Sequence, residues 1–145
     1  MLVECHSIEE THTLAHKLAN KIPVGSVIAL IGNLGTGKTT FTQGFAKALG
    51  VIERVGSPTF KLVSEYDGTL YKLYHIDCYR LENPMDFLNI GGEVFLMPDD
   101  GITLIEWANI IQEILPPKVI TLKFSRNEAN ATHRTISILG LNYAD

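Results

Sequence analysis

The chain has 145 residues, of which 46% are hydrophobic and 19% charged, which is typical of one folded domain and argues against a disordered segment. The formal net charge of −4 argues against broad, non-specific binding to nucleic acid. Since the N-terminus lacks the pattern of a signal peptide and no apolar run approaches the ~20 residues that span a bilayer, we expect a cytoplasmic protein with no membrane partner and a single domain over residues 1–145.

The first part of the chain predicts a short strand, residues 2–5, and then an amphipathic helix. Ser7 and Glu10 have the spacing of a capping box, in which Ser7 accepts from an early helix N–H and Glu10 reaches back. The apolar stripe of this helix repeats every four residues at Leu14, Leu18 and Ile22. Pro23 and Gly25 then end the helix.

A buried strand and a second helix flank a glycine-rich turn. Residues 27–31 (VIALI) are a continuous apolar run, typical of a strand that is buried on both faces. The helix after the turn carries Phe41, Phe45 and Leu49 on one side, and Gly50 is a natural terminator.

The middle of the chain predicts a hairpin and short helices. Two strand-like runs, residues 61–66 and 70–76, surround the Asp-Gly dipeptide at 67–68, a strong hairpin signal. Pro84 opens a short helix, and a further helical segment is expected over residues 93–97.

The last part predicts a strand at 102–105, a helix at 107–115, and a final pair of strands at 119–124 and 135–139. We therefore expect an α/β fold in which β-α units at the front carry a parallel sheet and hairpins add antiparallel strands, with helices on both faces.

The string GNLGTGKT at residues 32–39 fits the P-loop pattern G-x-x-x-x-G-K-[ST], after an apolar strand and before a helix, so the expected fold is P-loop NTPase-like. Its glycines let consecutive N–H groups point at phosphate oxygens, and the helix dipole adds positive potential. Lys38 supplies a charge between the β- and γ-phosphates, and the Thr39 hydroxyl is a hard ligand for Mg²⁺. The predicted nucleotide contacts are Gly35, Thr36, Gly37, Lys38, Thr39 and Thr40.

Two acidic residues, Asp77 and Glu106, end predicted strands. Ligands of open α/β sheets bind at that end of the strands, so either carboxylate is a candidate for the acidic group that a P-loop needs near its metal. Each is also explained as a solvated carboxylate. Direct contact of Glu106 with the metal and contact through a water both remain open.

Other residues have two readings. The segment from Ser57 to Thr59 is a switch loop that senses the γ-phosphate or an ordinary turn, which spacing alone slightly favours. Trp107 packs in the core or covers the nucleotide. His75 is more often a hydrogen-bonded strand residue than a catalytic base. Tyr79 and Arg80 lie at the surface, where they meet a partner, or they close on the phosphate.

Four motifs together resemble the bacterial TsaE (YjeE) family. They are GNLGTGKTT from Gly32, SPTF from Ser57, HIDCYRL from His75 and LIEW from Leu104. Many families share the P-loop, whereas the four motifs in this order and spacing are specific.

The resemblance implies an ATPase required for N6-threonylcarbamoyladenosine (t6A) in tRNAs that read ANN codons. It implies binding and slow hydrolysis of Mg-ATP, activation by a complex of TsaB and TsaD, and hydrolysis that resets this complex. Contact with tRNA would be indirect, through the complex.

The resemblance also implies residue roles. Thr39 and Glu106 resemble the Mg²⁺ ligands, and Asp77 resembles the residue that places or activates the attacking water, so Asp77, Glu106 and Lys38 are the expected catalytic residues. Ser57 and Thr59, with the loop around them, resemble the switch region of the family. Two further nucleotide contacts are implied, Thr11 against the adenine ring and Arg134 before the last strand.

Three other functions compete with this one. A GTP switch protein normally carries N-K-x-D on a late strand, and no such tetrapeptide occurs here. A small-metabolite kinase usually has an arginine-rich lid, and the four arginines of this chain form no cluster in the sequence. A binding module with an inactive site would not need Lys38, Thr39 and Glu106.

Without an evident arginine finger, we expect a partner to organise the transition-state charge.

Overall fold

The computed structural model describes residues 1–33, 35–56, 62–130 and 132–141. The strands in this part of the chain are β1 Leu2–Cys5, β2 Val27–Ile31, β3 Val63–Asp67, β4 Lys72–Asp77, β5 Gly101–Glu106, β6 Ile120–Arg126 and β7 Arg134–Leu139. The α-helices are α1 Ile8–Lys21, α2 Lys38–Ala48 and α3 Pro84–Asn89, and two 3₁₀ helices cover Gly92–Leu96 and Ala108–Ile114. None of the described helices is both long and apolar enough to cross a membrane.

The described strands form one mixed sheet in the order β1-β7-β6-β2-β5-β4-β3. Strand β2 lies between β5 and β6 and is parallel to both, and β4 is parallel to β5. Strand β3 is antiparallel to β4, and β7 is antiparallel to β6 and to β1. The predicted α/β fold with a parallel core and antiparallel hairpin strands is therefore confirmed.

One detail of the topology differs from expectation. The first strand does not join the parallel core with β2, because it pairs with the last strand, β7, at the edge of the sheet. The parallel core consists of β2, β4, β5 and β6.

Helices cover both faces of the sheet, as predicted. Alternate residues of β2 point to opposite faces. Ile28 and Leu30 belong to the hydrophobic cluster that includes α1 and α2. Val27 and Ala29 belong to a second cluster, which includes α3 and the 3₁₀ helix Ala108–Ile114. The strand is thus buried on both sides, and its carboxyl end opens directly into the glycine-rich turn.

The signals at the ends of α1 are largely confirmed. Ser7 is the N-cap, and its hydroxyl accepts a hydrogen bond from Glu10 N at 3.1 Å. The Glu10 carboxylate reaches back to His6 N at 3.3 Å, and therefore caps one residue earlier than a capping box would. The helix ends at Lys21, before Pro23.

Two segments differ from the prediction, a helix in its type and a hairpin in the position of its turn. The helix expected at 107–115 is a 3₁₀ helix with non-helical backbone angles at Ile111, just before Pro116 and Pro117. The hairpin turn lies later in the chain than the Asp-Gly dipeptide predicts, because β3 extends to Asp67, which pairs with Lys72, and Gly68 N donates to Tyr71 O at 3.1 Å. The second strand therefore begins at Lys72 rather than at residue 70.

Candidate functional site

A cavity of about 380 Å³ lies where β2, β4 and β5 end and α2 begins. It is lined by Gly35, Thr36, Gly37, Lys38, Thr39, Thr40, Asp77, Tyr79, Glu106, Trp107 and Arg134. The fold therefore brings together nine of the predicted residues, from the P-loop and from three separate strands. Asp77 and Glu106 are direct neighbours in the β4–β5 register, and Glu106 is paired with Leu30 of β2.

The P-loop presents main-chain donors to this cavity. Gly35 and Gly37 have positive φ angles of 76° and 100°, a conformation that glycine adopts without steric cost. Gly37 is the N-cap of α2 and provides no side-chain cap. The N–H groups of the first turn of α2 are therefore left for a ligand, and the helix dipole favours an anion there.

Lys38 is largely buried, with 5% of its surface exposed. Its ammonium donates hydrogen bonds to the carbonyls of Gly32 and Asn33, the second at 3.0 Å, and lies 4.2 Å from the centre of the Trp107 ring. Burial lowers the pKa of Lys38, and the charge of Glu106 opposes this shift. The ammonium is thus held within the loop by oxygen atoms that a phosphate could replace.

Two hard oxygen atoms that could bind a metal ion lie close together at the cavity wall. The Thr39 hydroxyl donates to Glu106 Oε1 at 3.4 Å. Two adjacent ligands of an octahedral Mg²⁺ lie roughly 2.9 Å apart, given bonds of about 2.0–2.1 Å. The two oxygen atoms therefore fit Mg²⁺ after a movement of a few tenths of an ångström.

Glu106 has a second partner inside the protein. Its Oε2 atom lies 2.5 Å from His75 Nε2, and both residues are buried, with 3% and 0% of their surfaces exposed. His75 does not line the cavity. It is consequently a strand residue behind the carboxylate rather than a base in contact with a ligand.

Asp77 is the last residue of β4 and is half-buried at the cavity wall. Its Oδ1 atom accepts a hydrogen bond from Tyr79 N at 2.9 Å. Asp77 and Lys38 line the same cavity, and the Asp77 charge opposes the lowering of the Lys38 pKa with the smallest of the three effects.

An aromatic pair completes the wall. Trp107 follows Glu106 directly and has a left-handed backbone conformation, with a φ angle of 58°. Its indole contacts the ring of Tyr79, and the ring centres are 5.0 Å apart. A non-glycine residue in this conformation is under steric strain. The indole is half-buried and lines the cavity, so it is not simply packed in the core.

The sequence interpretation missed a second arginine at the P-loop. In the β6–β7 pair, Arg126 lies directly opposite Arg134. Arg126 Nη1 is 3.6 Å from where a Cβ atom on Gly35 would be, and Arg134 Nε is 3.5 Å from the same point on Gly37. The two arginines end and begin consecutive antiparallel strands, and the register of this hairpin places them opposite each other. The signal was the position of Arg126 at the end of a strand next to β2.

The remaining predicted residues lie elsewhere. Thr11 is buried in the first turn of α1, where its hydroxyl donates to Ser7 O at 3.3 Å, and it is not among the residues that line the cavity. The predicted switch residues Ser57 and Thr59 are outside the described residues.

Comparison with known proteins agrees on one family. A family model described as "Threonylcarbamoyl adenosine biosynthesis protein TsaE" matches residues 5–136. The chain is 38% identical to the tRNA threonylcarbamoyladenosine biosynthesis protein TsaE of Bacillus subtilis over 93% of this chain and 84% of the relative. It is 37% identical to the protein of that name from Borreliella burgdorferi, over 80% of this chain and 84% of the relative.

A solved structure confirms the fold. The crystal structure of Bacillus subtilis YdiB superposes with a TM-score of 0.75 and 32% identity, over 95% of this chain and 83% of that one. The residues matched by the family model include the P-loop, both strand-end carboxylates and Arg134. This chain therefore belongs to the TsaE family of tRNA threonylcarbamoyladenosine biosynthesis proteins.

Proposed function

We propose that this protein is a P-loop ATPase that is required for t6A modification of tRNAs reading ANN codons. The observation that carries the proposal is the P-loop with Lys38, Thr39 and Glu106 around one cavity of about 380 Å³. A cavity of this size, lined by glycine N–H groups, an ammonium and two hard oxygen ligands, suits a nucleoside triphosphate with its metal.

The nucleotide would be held mainly by its phosphates. The main-chain N–H groups from Gly35 to Thr39 would donate to the β-phosphate, and Thr40 would meet the α-phosphate. Lys38 would exchange its bonds to loop carbonyls for bonds to the β- and γ-phosphate oxygens. Arg134, beside Gly37, would add a further charge. Thr11 is proposed to lie against the adenine ring.

Thr39 and Glu106 would hold Mg²⁺, which supplies neutralisation of the phosphate charge that develops during hydrolysis. Asp77 would accept a hydrogen bond from a water and direct its oxygen at the γ-phosphorus, so that the products are ADP and phosphate. Ser57 and Thr59 are proposed to respond to the γ-phosphate. The catalysis would come from positioning and charge, which is consistent with a slow ATPase.

We further propose that the partners are TsaB and TsaD, whose complex activates hydrolysis and is reset by it, and that tRNA is contacted only through that complex. The similarity to the TsaE relatives supports this assignment. The half-exposed ring of Tyr79 at the cavity would be accessible to a partner.

The deciding experiment measures ATP hydrolysis with and without purified TsaB and TsaD, in the parent and in Glu106→Ala. We expect clear stimulation of the parent by the complex. The variant should keep much of its ATP binding and lose at least ~100-fold of the stimulated rate, because a metal ligand is missing from the transition state.

Glu113→Ala, which removes an exposed carboxylate from the neighbouring 3₁₀ helix, is the matched control and should hydrolyse ATP at the parent rate. If Glu106→Ala turned over ATP as fast as the parent, the metal assignment would be wrong. If the complex had no effect on the parent, the proposed partners would be wrong.

A further inference from the structure

His75 is a buried polar residue whose contact with Glu106 the proposed function does not use. It lies in the middle of β4, paired with Leu104 of β5, and none of its surface is exposed. Its Nε2 atom is 2.5 Å from Glu106 Oε2, within hydrogen-bond distance.

The other ring nitrogen determines where the proton is. His75 Nδ1 is buried and has no hydrogen-bond partner among the described residues. A proton on Nδ1 would be a buried donor without an acceptor, which is costly. The proton therefore sits on Nε2, and His75 donates to Glu106 Oε2.

This bond occupies one carboxylate oxygen and leaves the other for the cavity. Glu106 Oε1 faces the Thr39 hydroxyl at 3.4 Å, while Oε2 points back into the sheet. An apolar residue at position 75 would avoid the unpaired Nδ1 atom, but it would leave Oε2 buried without a donor. The freed carboxylate would then turn towards the nearby Lys38 ammonium, whose pKa already reflects its charge.

We propose that His75 is a positioning residue that orients Glu106 for binding of a divalent cation. This inference rests on the proposed function, since it assumes that Glu106 contacts the metal of a bound nucleotide. Partners behind a metal ligand fix its orientation, and their removal typically weakens metal affinity by about 10- to 100-fold.

The test measures Mn²⁺ binding to the ADP complex by electron paramagnetic resonance, which does not depend on turnover. We expect His75→Leu to bind Mn²⁺ about 10- to 100-fold more weakly than the parent. His75→Asn, whose amide is too short to reach Oε2, should show the same loss and decides the matter if the leucine variant does not fold. His75→Gln, which restores a donor near the Nε2 position, should recover most of the affinity.

Tyr74→Phe is the matched control, because it removes a hydrogen bond of 2.8 Å to Asp100 from the adjacent residue of the same strand, on the opposite face. It should bind Mn²⁺ like the parent. Folded His75→Leu or His75→Asn with parental Mn²⁺ affinity would overturn the inference, as would equal loss in Tyr74→Phe. A parent protein without nucleotide-dependent Mn²⁺ binding would instead refute the proposed function.

Discussion

The ammonium of Lys38 is a positive charge at the wall of this cavity, where a phosphate could contact it. It is buried, which lowers its pKa, and it rests on main-chain carbonyls. Each charge-assisted hydrogen bond contributes about 1.5–3 kcal/mol. We therefore expect Lys38→Ala to weaken ATP binding by about 10- to 100-fold or more, measured by isothermal titration calorimetry.

The control is Lys47→Ala, which removes an equal charge from the exposed last turn of the same helix. Its ATP affinity should match that of the parent. If both variants lost the same affinity, the effect of Lys38 would be general electrostatics rather than phosphate contact.

The buried thiol of Cys78 should make the protein less stable as the pH rises into the alkaline range. The thiol is fully buried, and burial, with a smaller effect of the Asp77 charge, raises its pKa from 9.0 to about 12. Between these two values the unfolded chain has lost the thiol proton while the folded protein keeps it. The contribution to stability is thus fully present below pH ~9 and is lost as the pH rises towards ~12.

We expect the free energy of unfolding of the parent to fall more steeply above pH ~9 than that of Cys78→Ala, by up to about 1.4 kcal/mol per pH unit. Urea denaturation between pH ~8 and ~10.5 measures both slopes. Parallel profiles would show that the thiol ionises equally in the folded and unfolded states.

At the scale of elements, α2 begins in the P-loop and packs closely on α1 at Gly44. A Cβ atom on Gly44 would lie 2.9 Å from His12 Cδ2, 3.0 Å from His12 Cα and 3.2 Å from Ala15 Cβ. Alanine would gain about 1 kcal/mol of helix propensity, but overpacking of this kind costs about 1–3 kcal/mol. We expect Gly44→Ala to lower the free energy of unfolding by up to about 2 kcal/mol in urea denaturation.

Lys47→Ala again serves as the control, because it changes an exposed position of α2 and should alter stability by less than about 0.5 kcal/mol. A more stable Gly44→Ala protein would mean that the two helices can separate at little cost.

For the whole molecule, a ligand that binds only the folded protein raises its stability by mass action. At about 100 times the dissociation constant, Mg-ATP should add about 2.7 kcal/mol. In a chain of this size, that corresponds to a rise in melting temperature of roughly 5–10 °C in a thermal shift assay. A chelator should reverse much of this rise, and GTP should produce a smaller one. Equal shifts with ATP and GTP would favour a GTP switch protein instead.

Much of the fold followed from local patterns in the sequence. The apolar run of β2, the glycine-rich turn, the start of α1 at Ser7 and the acids at two strand ends were all predicted and lie where expected. These features depend on neighbouring residues: strand and helix periodicity, capping and the conformational freedom of glycine act over a few positions. The candidate phosphate site could therefore be predicted from residues 27 to 49 and from the two acidic positions.

The tertiary structure alone decided which distant residues meet. Pairing of β1 with β7 and the contact of His75 with Glu106 both depend on strand order and register. A shift of register by one residue would turn every side chain of a strand to the other face, so local periodicity cannot specify these contacts. The sequence by itself determined the P-loop motif and its place between a strand and a helix, because these depend on neighbouring residues. Strand pairing determined which charged side chains surround the loop.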